Sequence, residues 1–172
     1  MKFVVEFEGF QVQNRYIFKE IVVKCVETLE TQHFFLKSPF PLTRLTKREC
    51  NIVSYCEKNL HHIYWNSGRE YLRDIVKRLA FLNSTGNTVF TKGEQKVEAL
   101  KKQLHLKCPV LDVTELIEKQ AIDYPSSLVA YSQRKGLESN VLCPLRFHRS
   151  SRHCAYIKAD FFSYLIKQSE NE

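Results

Sequence analysis

From Lys2 to about Phe40 the chain reads as strands, and this most constrains the fold. In KFVVEFEGF, Phe3, Val5 and Phe7 alternate with Val4, Glu6 and Glu8, the pattern of a β-strand. QVQNRYIFKEIVVKCVE supplies a second strand, with Gln13-Asn14-Arg15 as the turn between the two. HFFLKSPFP supplies a third, ended by Pro39 and Pro41, which have no N–H to donate to a ladder. Strands joined by so few residues pair antiparallel, so the chain is expected to open with a three-stranded meander.

Helical spacing begins only after this. Thr46-Lys47-Arg48-Glu49 has the form of a capping box, and the helix behind it places Ile52, Val53 and Cys56 on one face. Ser67-Gly68-Arg69-Glu70 repeats the pattern before a stripe of Leu72, Ile75, Val76 and Leu79. NTVFTK reads as a fourth strand leading into a helix with Val97, Leu100 and Leu104 inward, and CPVLDV as a fifth strand, apolar enough to be interior. Residues 118–142 read as loop with one short helix, and a last helix over 150–167 buries Ile157, Phe161, Tyr164 and Leu165. The order β-β-β-α-α-β-α-β-α predicts one α/β domain over 1–172, built on a mixed five-stranded sheet flanked by helices. That arrangement is found in RNase H-like folds.

The net charge of +7 favours an anionic partner, with RNA or single-stranded nucleic acid the first candidate. Lys92, Lys96, Lys101, Arg146, Arg149 and Arg152 are candidate phosphate contacts, and Phe147, Tyr131 and Tyr156 candidate stacking rings. The bland account of these charges is a solvated surface. No apolar run approaches the ~20 residues of a membrane span. The leading MKFVVEFEGF carries two carboxylates where a signal peptide would be apolar, so the expected setting is the cytoplasm or nucleus, without membrane contact. Reduced thiols are expected there.

Cys143, His148, His153 and Cys154 fall within the segment CPLRFHRSSRHC, ahead of the last helix. Thiolate and imidazole suit zinc, and Cys154 on the first helical turn would share a face with Ile157 and Phe161. Without a CxxC pair the spacing equally fits core thiols beside a surface imidazole. Glu6 and Glu8 have two readings as well. They are either the wet face of a strand or, if the strand is central and covered on both sides, a pair that must be functional or ion-paired, with Lys158 a candidate counter-ion.

VVEFEGF, NTVFTKGEQKVEAL and HRSSRHCA resemble, in order, the first strand, a later strand-to-helix segment and the final histidine motif of DEDD-type exonucleases. The resemblance implies a carboxylate cage for two Mg2+ or Mn2+ ions, with Glu6, Glu8 and His148 as catalytic residues. The cage is incomplete in this sequence: Lys96 and His153 stand where two further aspartates are expected, with Glu94 and Asp160 the available substitutes. The Cys…His…Cys-Ala pattern through Ala155 resembles the Maelstrom domain, a divergent relative that lacks the cage. This resemblance implies a structural zinc ion held by Glu20, Cys143, His148 and Cys154, with His153 the alternative histidine. It also implies a role in small-RNA silencing of mobile elements. The expected function is thus a catalytically degenerate exonuclease-like domain that binds RNA or scaffolds. The alternatives are an active 3′–5′ exonuclease or single-strand RNA nuclease, and a protein–protein adaptor using FFLKSPFP and the Tyr64-Trp65 corner.

Overall fold

The computed structural model describes residues 1–124, 126–136 and 151–170. Five strands form one mixed sheet: β1 (Lys2–Val12), β2 (Arg15–Cys25), β3 (Thr31–Phe35), β4 (Thr88–Thr91) and β5 (Val110–Asp112), in the order β3-β2-β1-β4-β5. The first three are antiparallel to one another, while β4 runs parallel to β1 and β5 parallel to β4. The α/β class and the opening meander are as the sequence predicts. Gln13 and Asn14 both take positive φ, 52° and 56°, as a two-residue hairpin turn requires.

Helices α1 (Lys47–Asn59), α2 (Leu72–Arg78), α3 (Glu94–Gln103), α4 (Thr114–Lys119), α5 (Ser126–Lys135) and α6 (Ala155–Ser169) flank the sheet. On one face Phe3, Val5, Phe7, Phe18 and Ile21 pack with Ile75 and Leu79 of α2 and Ala99 and Leu100 of α3. On the other, Val4 and Val22 meet Ile157, Phe161 and Leu165 of α6, backed by α4 and α5. A third cluster joins Phe10, Val12 and Ile17, at the projecting end of the β1–β2 hairpin, to Val53 and Trp65.

A bulge at Glu8/Gly9 separates the hairpin into two registers, Glu8 facing Glu20 and Gly9 facing Phe18. Lys19 is the additional residue on β2. The strands approach so closely here that a Cβ on Gly9 would lie 2.0 Å from the Ile17 carbonyl oxygen. Only glycine fits.

Several expectations are corrected. The Thr46–Glu49 capping box forms, but Ser67–Glu70 does not cap α2. Arg69 and Glu70 instead donate backbone N–H groups to Phe35 O at 2.9 and 3.1 Å, so this segment is held extended beside β3 and the helix starts at Leu72. β5 is an edge strand with Leu111 47% exposed, because an edge needs apolar contact on one face only. The short helix expected within residues 118–142 is α5, and the stretch also takes in the end of α4. Ile52 and Tyr164 point outward, whereas of the segments named for an adaptor surface Phe34, Leu36 and Trp65 are core residues and Tyr64 is exposed.

Candidate functional site: a buried carboxylate–lysine cluster

β1 is a central strand between β2, antiparallel to it, and β4, parallel to it. Val4, Glu6 and Glu8 share the face of β1 that α6 covers, so both carboxylates are inside: Glu6 fully buried, Glu8 9% exposed. Of the two sequence readings, the covered, ion-paired one holds.

Every oxygen of Glu6 is engaged. Oε1 accepts from Thr91 Oγ1 at 3.1 Å and from the Lys92 N–H at 2.9 Å, where β4 gives way to α3. Oε2 accepts from Lys96 Nζ at 2.6 Å, and Lys158 Nζ stands 3.8 Å away. Lys96 reaches in from the first turn of α3, donates also to Phe7 O at 2.9 Å and sits over the Phe7 ring. Lys158, on the first turn of α6, pairs directly with Glu8.

Burial alone would raise the Glu8 carboxyl, but Lys158 and then Lys96 outweigh it and hold it below its ordinary value. Burial pushes the Lys96 ammonium down despite Glu6. For Lys158, burial is overcome by Glu8 and Glu6, and its pKa is raised. Two carboxylates and two ammonium groups therefore close a neutral cluster.

A two-metal nuclease centre needs carboxylates converging on ions ~3.5–4 Å apart. Here the oxygens that would face such ions already face Lys96 and Lys158, and a cation could enter only by expelling both. The donor set does not fit the cage. Neither substitute repairs it: Glu94 is exposed on α3, and Asp160 faces β2 instead, binding Lys24 at 2.5 Å and accepting from Tyr131 Oη at 2.7 Å. At the tip of β5, Asp112 accepts from Gly93 N, Thr114 N and Thr114 Oγ1 at 2.9, 2.9 and 2.7 Å and so shapes the turn that launches α3.

Of the zinc candidates, Glu20 is fully buried on β2 and Cys154 is the buried N-cap of α6. Cys143 and His148 lie outside the described residues, and with His148 goes the proposed catalytic base. The alternative His153 is half-buried. Glu20 accepts from His33 Nε2 at 2.8 Å, and the His33 ring lies 5.8 Å from that of Tyr156 on α6. Sequence reading missed His33. Among the described residues, no three His, Cys, Asp or Glu side chains converge so as to hold a metal ion.

The candidate phosphate contacts are dispersed in role. Lys101 and Arg152 are exposed, and Lys92 lies over the Tyr124 ring at 4.8 Å. Lys96 is turned into the cluster and does not present its charge outward, a correction to its assignment as an RNA contact. Arg146 and Arg149 fall outside the described residues. Tyr131 and Tyr156 are buried and do not offer free ring faces. Lys19, unremarked in the sequence, is fully buried and donates to Ser38 Oγ, Trp65 O and Ser67 O at 3.2, 2.8 and 2.6 Å. Burial holds its amine down at about 8.

No helix among the described residues is long and apolar enough to cross a membrane. No protein-family model and no curated protein matches the chain.

Proposed function

We propose that the chain is an RNase H-like, exonuclease-derived domain whose metal centre has been replaced by ion pairs, and that it binds RNA or another single strand without cutting it. The observation that carries the reading is the Lys96 ammonium 2.6 Å from Glu6, at the position where the exonuclease resemblance expects a metal-binding aspartate. The strand order β3-β2-β1-β4-β5, antiparallel over three strands and parallel over the rest, supports the ancestry. The net charge of +7 supports the anionic partner. By the Maelstrom resemblance the module would act in small-RNA silencing of mobile elements, in the cytoplasm or nucleus. That step is analogy of fold and motif.

The test is a labelled single-stranded RNA incubated with the purified chain and Mg2+ or Mn2+. Binding whose logarithm falls linearly with the logarithm of salt concentration, with no product formed, is the expected result. Metal-dependent cleavage would overturn the reading in favour of a nuclease. Absence of any affinity would favour an adaptor.

The same reading includes the zinc staple of Glu20, Cys143, His148 and Cys154. Glu20 and Cys154 are both buried and of the right donor type, a carboxylate from the sheet and a thiolate from the helix start. Native mass spectrometry of chain purified without added metal should show one zinc, absent from Cys154→Ser together with a lowered Tm. A parent without zinc would return Cys154 to the role of a core thiol.

A further inference from the structure

The cations of this protein are held in two different ways. Around the α6 face of the sheet Lys24, Lys96 and Lys158 are matched by Asp160, Glu6 and Glu8, while Lys92 lies over the Tyr124 ring. On the surface, Arg78 pairs with Glu70 and Lys102 with Glu98, both at 2.5 Å. Arg15, Lys37 and Arg73 instead rest on aromatic rings. The Arg15 guanidinium carbon lies 5.2 Å from the centroid of Phe40, and Lys37 Nζ and the Arg73 guanidinium carbon lie 4.7 and 5.2 Å from that of Tyr71.

The difference matters because an aromatic ring orients a cation without cancelling its charge. All three side chains are exposed, and all three line one cleft of about 480 Å3 between the start of β2, the Lys37–Pro39 segment and the start of α2. No carboxylate is among its described lining residues. The acidic neighbour is Asp74, 3.8 Å from Arg73 Nε, an exposed pair of little energetic weight. Through Arg15 and Tyr16 the cleft continues into a second, of about 240 Å3, along the flank of α3, where Glu98, the one carboxylate among the described lining residues, pairs with Lys102. Tyr71 is 49% exposed at the mouth of the first cleft.

We infer that this groove, on the α2/α3 face of the sheet and away from the buried carboxylate cluster, holds the phosphodiester backbone of a single-stranded nucleic acid. Arg15, Lys37 and Arg73 contact phosphates, and the half-exposed Tyr71 ring packs against a base. The inference rests on the proposal that the chain binds a single strand, and it moves that strand from the inherited cleft to the opposite face. The cleft's own cations, Lys96 and Lys158, are neutralised by Glu6 and Glu8 and have no charge left to offer.

The experiment is fluorescence anisotropy with a labelled oligouridylate of ~20 nucleotides over a salt series, a span that exceeds the site sizes usual for single-strand grooves. It compares the wild-type chain with Arg15→Gln/Lys37→Gln/Arg73→Gln and with Lys92→Gln/Lys101→Gln/Arg152→Gln. The groove variant should lose at least about tenfold in affinity, and its log–log salt slope should shrink by about 2, that is roughly 0.7 for each lost phosphate contact. The second variant should stay within about threefold of wild type. Tyr71→Ala, which removes no charge, should weaken binding by about tenfold with the salt slope unchanged. Because the altered side chains are exposed, their melting curves should match wild type, and Tyr71→Ala stands as the independent readout should the triple variant not fold. Wild-type affinity in the groove variant, or loss confined to the second variant, would overturn the groove while leaving single-strand binding intact. No salt-dependent affinity in the wild type would overturn the binding reading itself, and this assignment with it.

Discussion

Lys158→Met lowers the unfolding free energy by about 3–5 kcal/mol, measured by urea denaturation at about pH 7. The cost is not the value of the ion pair, which against an apolar replacement of both partners is often nil. It is the penalty for leaving Glu8, and in part Glu6, charged and buried without the ammonium that faces them. The pH dependence separates this cause from simple loss of packing. In the wild type, Glu8 titrates below its ordinary value because Lys158 and Lys96 outweigh its burial. The folded state then binds fewer protons than the unfolded state, so the contribution of Glu8 is present above the unfolded pKa and is lost as pH falls through the folded one. Without Lys158, burial dominates and the folded pKa moves up. The contribution then reverses sign: stability is gained on acidification and lost as pH rises through the folded pKa. The deficit of the variant should therefore narrow between about pH 7 and about pH 4. Adding Glu8→Gln to Lys158→Met should recover a large part of it at about pH 7. A deficit that is constant across this range, or unrelieved by Glu8→Gln, would mean that the lysine stem fills space and its charge does little.

Much of the frame was legible because local rules and tertiary packing agree. The meander, the Thr46 cap and the inward Leu100, Ile157 and Phe161 all follow from a period of two or of 3.6. Where reading failed, a partner distant in sequence had decided the matter. Ser67–Glu70 has the composition of a helix start, but Phe35 O captures the Arg69 and Glu70 amides first. Strict alternation along β2 sets Phe18 and Glu20 on one face. The bulge at Gly9 inserts Lys19 between them, so that Phe18 joins the α2/α3 core and Glu20 stays beneath α6. No period within β2 itself signals that shift. The Glu6–Glu8 spacing and the Lys96 position could be singled out from sequence, and Lys158 named as a counter-ion, because charges on a strand covered on both sides demand partners. The groove cations could not, since Arg15, Lys37 and Arg73 come from three separate segments and meet only across the fold.

Glu6→Gln distinguishes a replaced metal centre from a working one by the sign of a stability change alone. In a metal cage the carboxylates repel one another in the absence of ions, and neutralising one of them stabilises the metal-free protein. In this protein Glu6 is the acceptor for Lys96, Thr91 and the Lys92 amide and the neighbour of Lys158. Glutamine preserves the shape and can still accept from Thr91 or Lys92, but it leaves the Lys96 ammonium within the fold without its counter-charge. The expected result is a loss of about 3 kcal/mol, or roughly 6–12 °C in Tm for a chain of this size, in buffer containing a chelator. Lys96→Met combined with Glu6→Gln should regain most of it, since the pair leaves together. Added Mg2+ or Mn2+ should shift the Tm of the wild type by no more than exposed carboxylates would, because an ion must first displace two ammonium groups. A rise in Tm for Glu6→Gln, accompanied by loss of a metal-induced rise in the wild type, would instead mean that Lys96 and Lys158 are placeholders for cations. The lysine-filled cluster would then be the resting state of a metal centre, and its neutral charge balance would say nothing against catalysis.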